Sequence, residues 1–331
     1  MLFDMDLERL RAYRPEPEEP ADFDAFWAKT LTETARHELD AEFVPYDAGF
    51  ATVDSFDVTF RGWGGQPVKA WLMLPRARLA PLPAVVQYIG YNGGRGIPYS
   101  WLTWSALGYA HLIMDNRGQG GGGKNTADTP DIGPDGHGSS SPGFLTRGIE
   151  DPYRHYYRRL ITDAVRAVDT AKAHEAVDAS RVAVLGGSQG GGLALAVAGL
   201  RDDVAAAVAD VPFLCHYRRA SQITDAGPYA EIARWLSGHR FRIDEAMETL
   251  SYFDGVNFAA RATAPAWFSV GLMDKICPSS TVFAAYHRYA GPAEIEVFTY
   301  NGHEGGAEYD LSRKLGALRG VFGRRDLQPR G

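Results

Sequence analysis

Short apolar runs recur along the chain and alternate with segments of helical periodicity. The runs at 84–89, 110–114, 182–185, 205–209, 266–271 and 294–300 predict strands, most of them apolar throughout, as strands covered on both faces are. Helical patterns lie at 152–176, 279–289 and 307–322. Earlier, 52–60 alternates with the period of a strand, and 67–74 is its hairpin partner across a glycine turn. Strands alternating with helices predict a doubly wound, mostly parallel α/β sheet with N-terminal antiparallel strands.

Two segments stand apart from this alternation. Residues 1–50 include a helical piece whose Phe23, Phe26, Trp27 and Leu31 share one face, and we expect this N-terminal helical extension to clasp the outside of the main domain. Residues 213–264 show helical patterns with no apolar strand run, and we interpret them as a small helical cap inserted over the site. The whole chain, 1–331, is then predicted to form a single domain.

One serine lies at a glycine-rich corner between a strand and a helix. The apolar run that starts at Val182 ends in Gly186-Gly-Ser188-Gln-Gly190, and an alanine- and leucine-rich helical pattern follows. In such a turn, a nucleophile elbow, the serine hydroxyl is pushed outward, and glycines two residues before and after it avoid collisions with neighbouring elements. A strand–helix joint with an incidental serine is the alternative, and partners further along the chain disfavour it.

A serine nucleophile needs a histidine as base and a carboxylate that orients the histidine. Asp274 follows the predicted strand 266–271 and His303 follows the strand 294–300, where open parallel sheets gather their active sites. The order serine, acid, histidine is that of the α/β-hydrolase fold. We therefore predict a triad of Ser188, His303 and Asp274. The rivals are His239 and His287 for the base and Asp210 and Asp254 for the acid.

Attack on an ester carbonyl creates an oxyanion, which this fold binds with two backbone N–H groups. The first predicted donor is the N–H of Gln189, the residue after the nucleophile. The second is the N–H of Tyr91, in the loop after the strand 84–89. The Tyr91 ring is also predicted to form a wall of the acyl site.

A long loop follows the strand 110–114. Residues 116–148 are rich in Gly, Pro, Ser and Asp and predict a surface loop, which at this length is usually functional. Arg117-Gly-Gln119 begins this loop at the same edge of the sheet as the predicted site. Because a buried Arg117 needs a carboxylate, we predict that it pairs with Glu304, so that Arg117, Gln119 and Glu304 support the triad from outside.

Composition narrows the range of partners. A net charge of −7 and a pI near 5.7 argue against a nucleic-acid surface and favour neutral or weakly charged small substrates. Cys215 and Cys277 fit neither a metal-ligand spacing nor a disulfide framework, so we expect two buried thiols. The start of the sequence lacks the features of a signal peptide, and no segment is apolar enough for a membrane span. We expect a cytoplasmic protein that contacts no membrane.

With these motifs in place, the chain resembles the acetyl xylan esterase and cephalosporin-C deacetylase family, the seventh family of carbohydrate esterases. The three signatures of that family, Arg-Gly-Gln, Gly-x-Ser-Gln-Gly and His-Glu, occur here at 117–119, 186–190 and 303–304. Further similarity at 87–94, 156–159, 251–255 and 281–286 extends the resemblance over nearly the whole chain. One departure is Ile89, where many members have histidine.

The resemblance implies removal of acetyl groups from short xylooligosaccharides, sugar acetates and cephalosporin C, with no cofactor and no metal. It also implies the roles already given to Ser188, His303 and Asp274, and a homohexamer. Tyr91 and Phe213 are predicted to limit the acyl pocket to short chains. The alternatives are a general short-chain carboxylesterase, a peptidase of the same fold, and an inactive binding protein.

Overall fold

A single mixed sheet organises residues 2–122, 125–132 and 142–323, the residues that this computed structural model describes. Its strands are β1 (Glu42–Tyr46), β2 (Val53–Arg61), β3 (Pro67–Pro75), β4 (Leu82–Tyr88), β5 (Ala110–Met114), β6 (Val177–Gly187), β7 (Ala206–Asp210), β8 (Ala266–Gly271) and β9 (Ala293–Phe298). They lie in the order β1-β2-β3-β5-β4-β6-β7-β8-β9. The pairs from β5 to β9 are parallel, and the pairs from β1 to β5 are antiparallel. The predicted mostly parallel sheet with N-terminal antiparallel strands is confirmed.

Helices cover both faces of the sheet. They are α1 (Leu7–Ala12), α2 (Phe23–Ala35), α3 (Leu102–Ala106), α4 (Tyr156–Ala173), α5 (Gln189–Leu200), α6 (Tyr217–Ile223), α7 (Tyr229–Gly238), α8 (Ile243–Ser251), α9 (Gly255–Ala259), α10 (Ser279–Arg288) and α11 (Leu311–Phe322). Successive residues of β6 show the two layers, because Val184 belongs to the larger core and Leu185 packs with Leu318 of α11 on the opposite face. No helix in the described ranges is long and apolar enough to cross a membrane.

The N-terminal segment and the insertion pack against each other. Phe26 and Trp27 of α2 are buried, and the Trp27 indole donates to the carbonyl of Tyr252, just after α8. The insertion predicted at 213–264 contains α6 to α9, between β7 and β8. Its last helix is packed closely on the main body, since a Cβ at Gly199 of α5 would lie 2.4 Å from the Phe258 carbonyl oxygen. The extension also holds β1, an edge strand whose mixed sequence gave no strand signal.

The segment after β5 differs from the predicted surface loop. Asn116, Arg117 and Gln119 are completely buried, as are Thr129 and Asp131 further along. The expectation of a surface loop is therefore wrong for its beginning, because these polar groups are hydrogen-bonded beneath the site. The parts of the predicted loop at 123–124 and 133–141 lie outside the described residues.

Candidate active site

The serine corner has the backbone of a strained strand-to-helix turn. β6 ends at Gly187, α5 begins at Gln189, and Ser188 between them has φ 57° and ψ −121°. A Cβ at Gly186 would lie 2.4 Å from the carbonyl carbon of Gly190, and a Cβ at Gly190 would lie 2.2 Å from the carbonyl oxygen of Tyr88. Only glycine fits at these two positions, and the close packing keeps the strained serine in place.

Asp274 and His303 meet beside this corner. The His303 Nδ1 lies 2.9 Å from Asp274 Oδ2, and since a carboxylate only accepts, the imidazole donates at Nδ1 and leaves Nε2 free to take a proton. The other oxygen, Oδ1, accepts the N–H groups of Ile276 at 2.7 Å and Cys277 at 2.9 Å. Asp274 is completely buried and the His303 side chain is 33% exposed. The acid is fixed in the protein, and the base reaches the cavity.

Ser188 and His303 share the wall of a cavity of about 210 Å³. In the described part of the chain no direct hydrogen bond joins them. Burial raises the pKa of the nearby Cys277 thiol well above its ordinary value, and Ser188 acts on that pKa in the opposite direction. The Cys277 thiol therefore stays neutral. Cys277 is buried, as expected, but the sequence gave no sign that its thiol lies close to Asp274 and His303.

Two glutamine side chains hold the predicted oxyanion donors together. The Gln119 Nε2 donates to Gln189 Oε1 at 2.8 Å, and the Gln189 Nε2 donates to the carbonyl of Ile89 at 3.2 Å. The Gln119 Oε1 accepts the N–H of Asn92 at 2.6 Å. The loop that carries Tyr91 is thereby connected to the first residue of α5. All of Gln119 and Gln189 is buried, which keeps these bonds from competing with water.

The predicted ion pair of Arg117 with Glu304 is wrong. The Arg117 guanidinium is buried and donates to both oxygens of Asp163 in α4, at 2.5 and 2.8 Å, and to Gln66 Oε1 at 2.6 Å. Asp131 Oδ1 lies 3.4 Å from the same group. Glu304 is exposed and accepts from its neighbours at 301 and 302 instead. The Arg117 side chain is therefore bonded to α4, and its partner is Asp163 in place of Glu304.

The rival acids and bases have other partners. Asp210 forms an ion pair with Lys314 at 2.5 Å, and Asp254 caps α9 by accepting the N–H of Val256 at 2.9 Å. The His239 ring stacks on Trp235 with centroids 3.9 Å apart. His287 lies 2.7 Å from the Tyr13 carbonyl. Only Asp274 and His303, of these candidates, are bonded to each other.

The two predicted pocket residues, Tyr91 and Phe213, are not among the described residues that line that cavity. Phe213 is completely buried, with its ring edge-on to Tyr91 at 5.9 Å and to Tyr229 at 4.4 Å. Tyr91 is partly buried, and its phenol donates to Glu231 Oε1 at 2.6 Å. Sequence did not indicate Glu231, because a single acid within a cap helix resembles any solvated surface residue.

One group of potential metal ligands in the described part of the chain shares two residues with the predicted triad. Ligand atoms of Asp274, Cys277 and His303 lie within 4.8 Å of one another. Both carboxylate oxygens of Asp274 already accept hydrogen bonds from the imidazole and two backbone N–H groups. These hydrogen bonds explain why Asp274 and His303 lie so close together.

A mostly parallel sheet, a serine elbow after β6, and an acid and a histidine after β8 and β9 define an α/β-hydrolase. The sequence model of the acetyl xylan esterase family matches residues 1–318. The chain therefore belongs to that family and is a carboxylic ester hydrolase.

Individual relatives agree with this assignment. An acetyl xylan esterase from Paenibacillus sp. R4 is 39% identical with a TM-score of 0.86, over 95% of this chain and 99% of its own. Acetyl xylan esterase 1 from Thermoanaerobacterium sp. JW/SL YS485 is 31% identical with a TM-score of 0.85, over 96% and 99%. Acetyl esterase Axe7A of Xylanibacter ruminicola is 27% identical over 91% of this chain and 67% of its own length. The Pyrococcus horikoshii acylaminoacyl peptidase, 14% identical with a TM-score of 0.58, shares the fold alone over 82% of this chain and 41% of its own.

Proposed function

We propose that the protein removes acetyl groups from small acetylated substrates through an acetyl-Ser188 intermediate. The observation that carries this proposal is the His303–Asp274 pair beside a strained serine on one cavity wall. The proposed substrates are acetylated xylooligosaccharides, sugar acetates and the acetoxymethyl group of cephalosporin C. Their support is the family membership and the names of the relatives, which are acetyl and acetyl xylan esterases.

The first half of the proposed reaction forms the acetyl-enzyme. The Ser188 hydroxyl turns towards His303, its oxygen attacks the acetyl carbonyl, and its proton passes to His303 Nε2. The buried Asp274 carboxylate stabilises the imidazolium across the 2.9 Å bond at Nδ1. The N–H groups of Gln189 and Tyr91 stabilise the oxyanion. When the tetrahedral intermediate collapses, the leaving alkoxide takes the proton from Nε2 and departs as an alcohol.

The second half hydrolyses the acetyl-enzyme. A water molecule gives a proton to His303 Nε2 and its oxygen attacks the acetyl carbonyl of the modified serine. The same N–H groups bind the second oxyanion. Collapse expels the Ser188 oxygen, which recovers the proton from His303, and acetic acid leaves. The cavity of about 210 Å³ favours a short acyl group and a small alcohol.

A panel of esters tests the proposal. We expect turnover of p-nitrophenyl acetate to be far faster than that of the octanoate, and acetylated xylobiose to be cleaved while small peptides are not. The Ser188→Ala variant should lose at least about three orders of magnitude in kcat, because nothing replaces the covalent step. Circular dichroism and thermal unfolding of the variant control for its fold. Undiminished hydrolysis by folded Ser188→Ala would contradict the proposal.

Assembly is a further part of the proposal. The resemblance to the acetyl xylan esterase family implies a homohexamer, which would restrict substrates to small ones. Light scattering on the purified protein gives the mass in solution, and a monomeric mass would contradict this expectation.

A further inference from the structure

A carboxylate of the insertion, Glu231 on α7, contacts the loop that carries the second oxyanion donor. The Tyr91 phenol donates to Glu231 Oε1 at 2.6 Å. The N–H of Gly143 also donates to Oε1, at 3.1 Å, and the N–H of Leu145 donates to Oε2 at 3.3 Å. One carboxylate therefore joins the loop after β4, the segment before α4, and a helix of the insertion.

The Tyr91 side chain is fixed on all sides by these contacts. Its oxygen accepts the N–H groups of Gly143 at 3.2 Å and Phe144 at 3.0 Å while its proton goes to Glu231. Its ring packs edge-on against Phe144 and Phe213, with centroids 5.3 and 5.9 Å away. Burial raises the pKa of Glu231, and its hydrogen bonds from Tyr91 and the backbone act in the opposite direction. Because the phenol proton and the phenol oxygen both have hydrogen-bond partners, the Tyr91 side chain has a single favourable orientation.

The loop has a second anchor on the other side of Tyr91. The next residue, Asn92, donates its N–H to Gln119 Oε1 at 2.6 Å. The Tyr91 amide therefore lies between a phenol held by the insertion and a backbone group held by the main body. Release of either anchor lets the loop turn, and a donor that is misplaced by about 1 Å can reduce a rate about 10²-fold.

We propose that Glu231 is a positioning residue for ester hydrolysis. It holds the Tyr91 phenol, and through the phenol it directs the Tyr91 N–H at the oxyanion. The inference rests on the proposed function, in which that N–H is the second donor. Because Glu231 acts on the transition state through Tyr91, its loss lowers kcat and leaves the KM of a small ester nearly unchanged.

Replacement of Glu231 tests this role with p-nitrophenyl acetate. We expect Glu231→Ala to lower kcat by about 10- to 100-fold. Glu231→Gln should recover part of the loss, because its amide oxygen still accepts the phenol proton. The matched control is Glu245→Gln on α8, whose exposed carboxylate binds Arg242; its kcat and KM should stay at the parent values.

Two further measurements separate positioning from a merely structural role. In a double-mutant cycle, Tyr91→Phe should lower kcat as Glu231→Ala does, and the double variant should fall no further than the larger single effect. A small boronic acid, which forms a tetrahedral adduct with a serine hydroxyl, should bind Glu231→Ala more weakly by the factor that kcat/KM loses.

A folded Glu231→Ala variant with unchanged kcat, a change confined to KM, or additive effects in the cycle would overturn the inference. If Glu231→Ala does not fold, Glu231→Gln and Tyr91→Phe, which nearly preserve volume, carry the same test. The Ser188→Ala variant distinguishes a failure of this inference from a failure of the proposed function on which it rests. Activity in folded Ser188→Ala would refute the function itself, whereas an inactive Ser188→Ala with an unaffected Glu231→Ala refutes the positioning role alone.

Discussion

The two halves of the site are built differently. The serine half contains the Gln119–Gln189 amide pair, which is buried and whose polar groups are bonded to one another. The histidine half lies on a turn after β9, where His303 is 33% exposed and Glu304 faces solvent. One buried residue, Asp274, connects the exposed half to the protein interior.

This difference indicates that residues on the serine side contribute to both folding stability and activity, whereas residues on the histidine side contribute mainly to activity. Changes on the serine side disturb a packed network and should reduce both folding stability and activity. Changes on the histidine side remove one hydrogen bond at the surface and should reduce activity with little effect on folding. Asp274 is the exception, because it is hydrogen-bonded to the exposed His303 but is itself completely buried.

The largest expected effect is on Asp274. Asp274→Asn should lower kcat about 10⁴-fold, because the amide cannot stabilise the imidazolium and favours the wrong histidine tautomer. The same change at exposed Glu304, Glu304→Gln, should cost less than about tenfold, since among the described residues that carboxylate bonds only to its own turn. Steady-state kinetics on p-nitrophenyl acetate checks both. Equal losses of kcat in the two variants would contradict the difference that we infer between the buried Asp274 and the exposed Glu304.

The next largest effect is on stability at Arg117. Arg117→Met leaves Asp163 buried without its cation and should cost about 3–5 kcal/mol of unfolding free energy in urea titrations. Arg117→Met combined with Asp163→Asn should recover part of that loss. The control Arg181→Met removes a more exposed pair with Asp178 and should cost at most about 1 kcal/mol. A stable, active Arg117→Met variant would show that the buried network is dispensable.

Two glycines give a third contrast. Gly190→Ala should lower the unfolding free energy by about 3 kcal/mol, because its Cβ would meet the Tyr88 carbonyl oxygen at 2.2 Å. Gly320→Ala, in the open interior of α11, has nothing within 4 Å and should stabilise by up to about 1 kcal/mol. Thermal unfolding of both variants measures the difference. Similar melting temperatures of the Gly190→Ala and Gly320→Ala variants would contradict the tight packing that we infer around Gly190.

The smallest predicted effect concerns pH and the rival acid Asp254. Burial raises its pKa to about 6, so between about pH 4 and pH 6 the folded protein binds more protons at this group than the unfolded chain. Its contribution therefore makes stability fall as the pH rises through that window, by up to about 3 kcal/mol. The Asp254→Asn variant should lose this dependence, as measured by urea titrations at several pH values. An unchanged profile would contradict the assignment to Asp254.

Sequence predicted the parts of this molecule that local pattern encodes. Apolar runs located the central strands, and the glycine spacing located the elbow, because both depend on residues that are neighbours in the chain. The partner of Arg117 was predicted wrongly, since Asp163 lies 46 residues away and side-chain direction beneath the sheet leaves no local pattern. Cys277 and Glu231 had no signal, because their contacts, with His303 and with Tyr91, join segments that are distant in the sequence.

The most direct test of the central claim is to find the acetyl group during turnover. The enzyme is mixed with p-nitrophenyl acetate, quenched with acid before the substrate is consumed, digested, and analysed by mass spectrometry. The account predicts one acetyl group on the peptide that contains Ser188 and none in Ser188→Ala. Turnover with Ser188 unmodified, or with the acetyl group on neighbouring Cys277 instead, would contradict it.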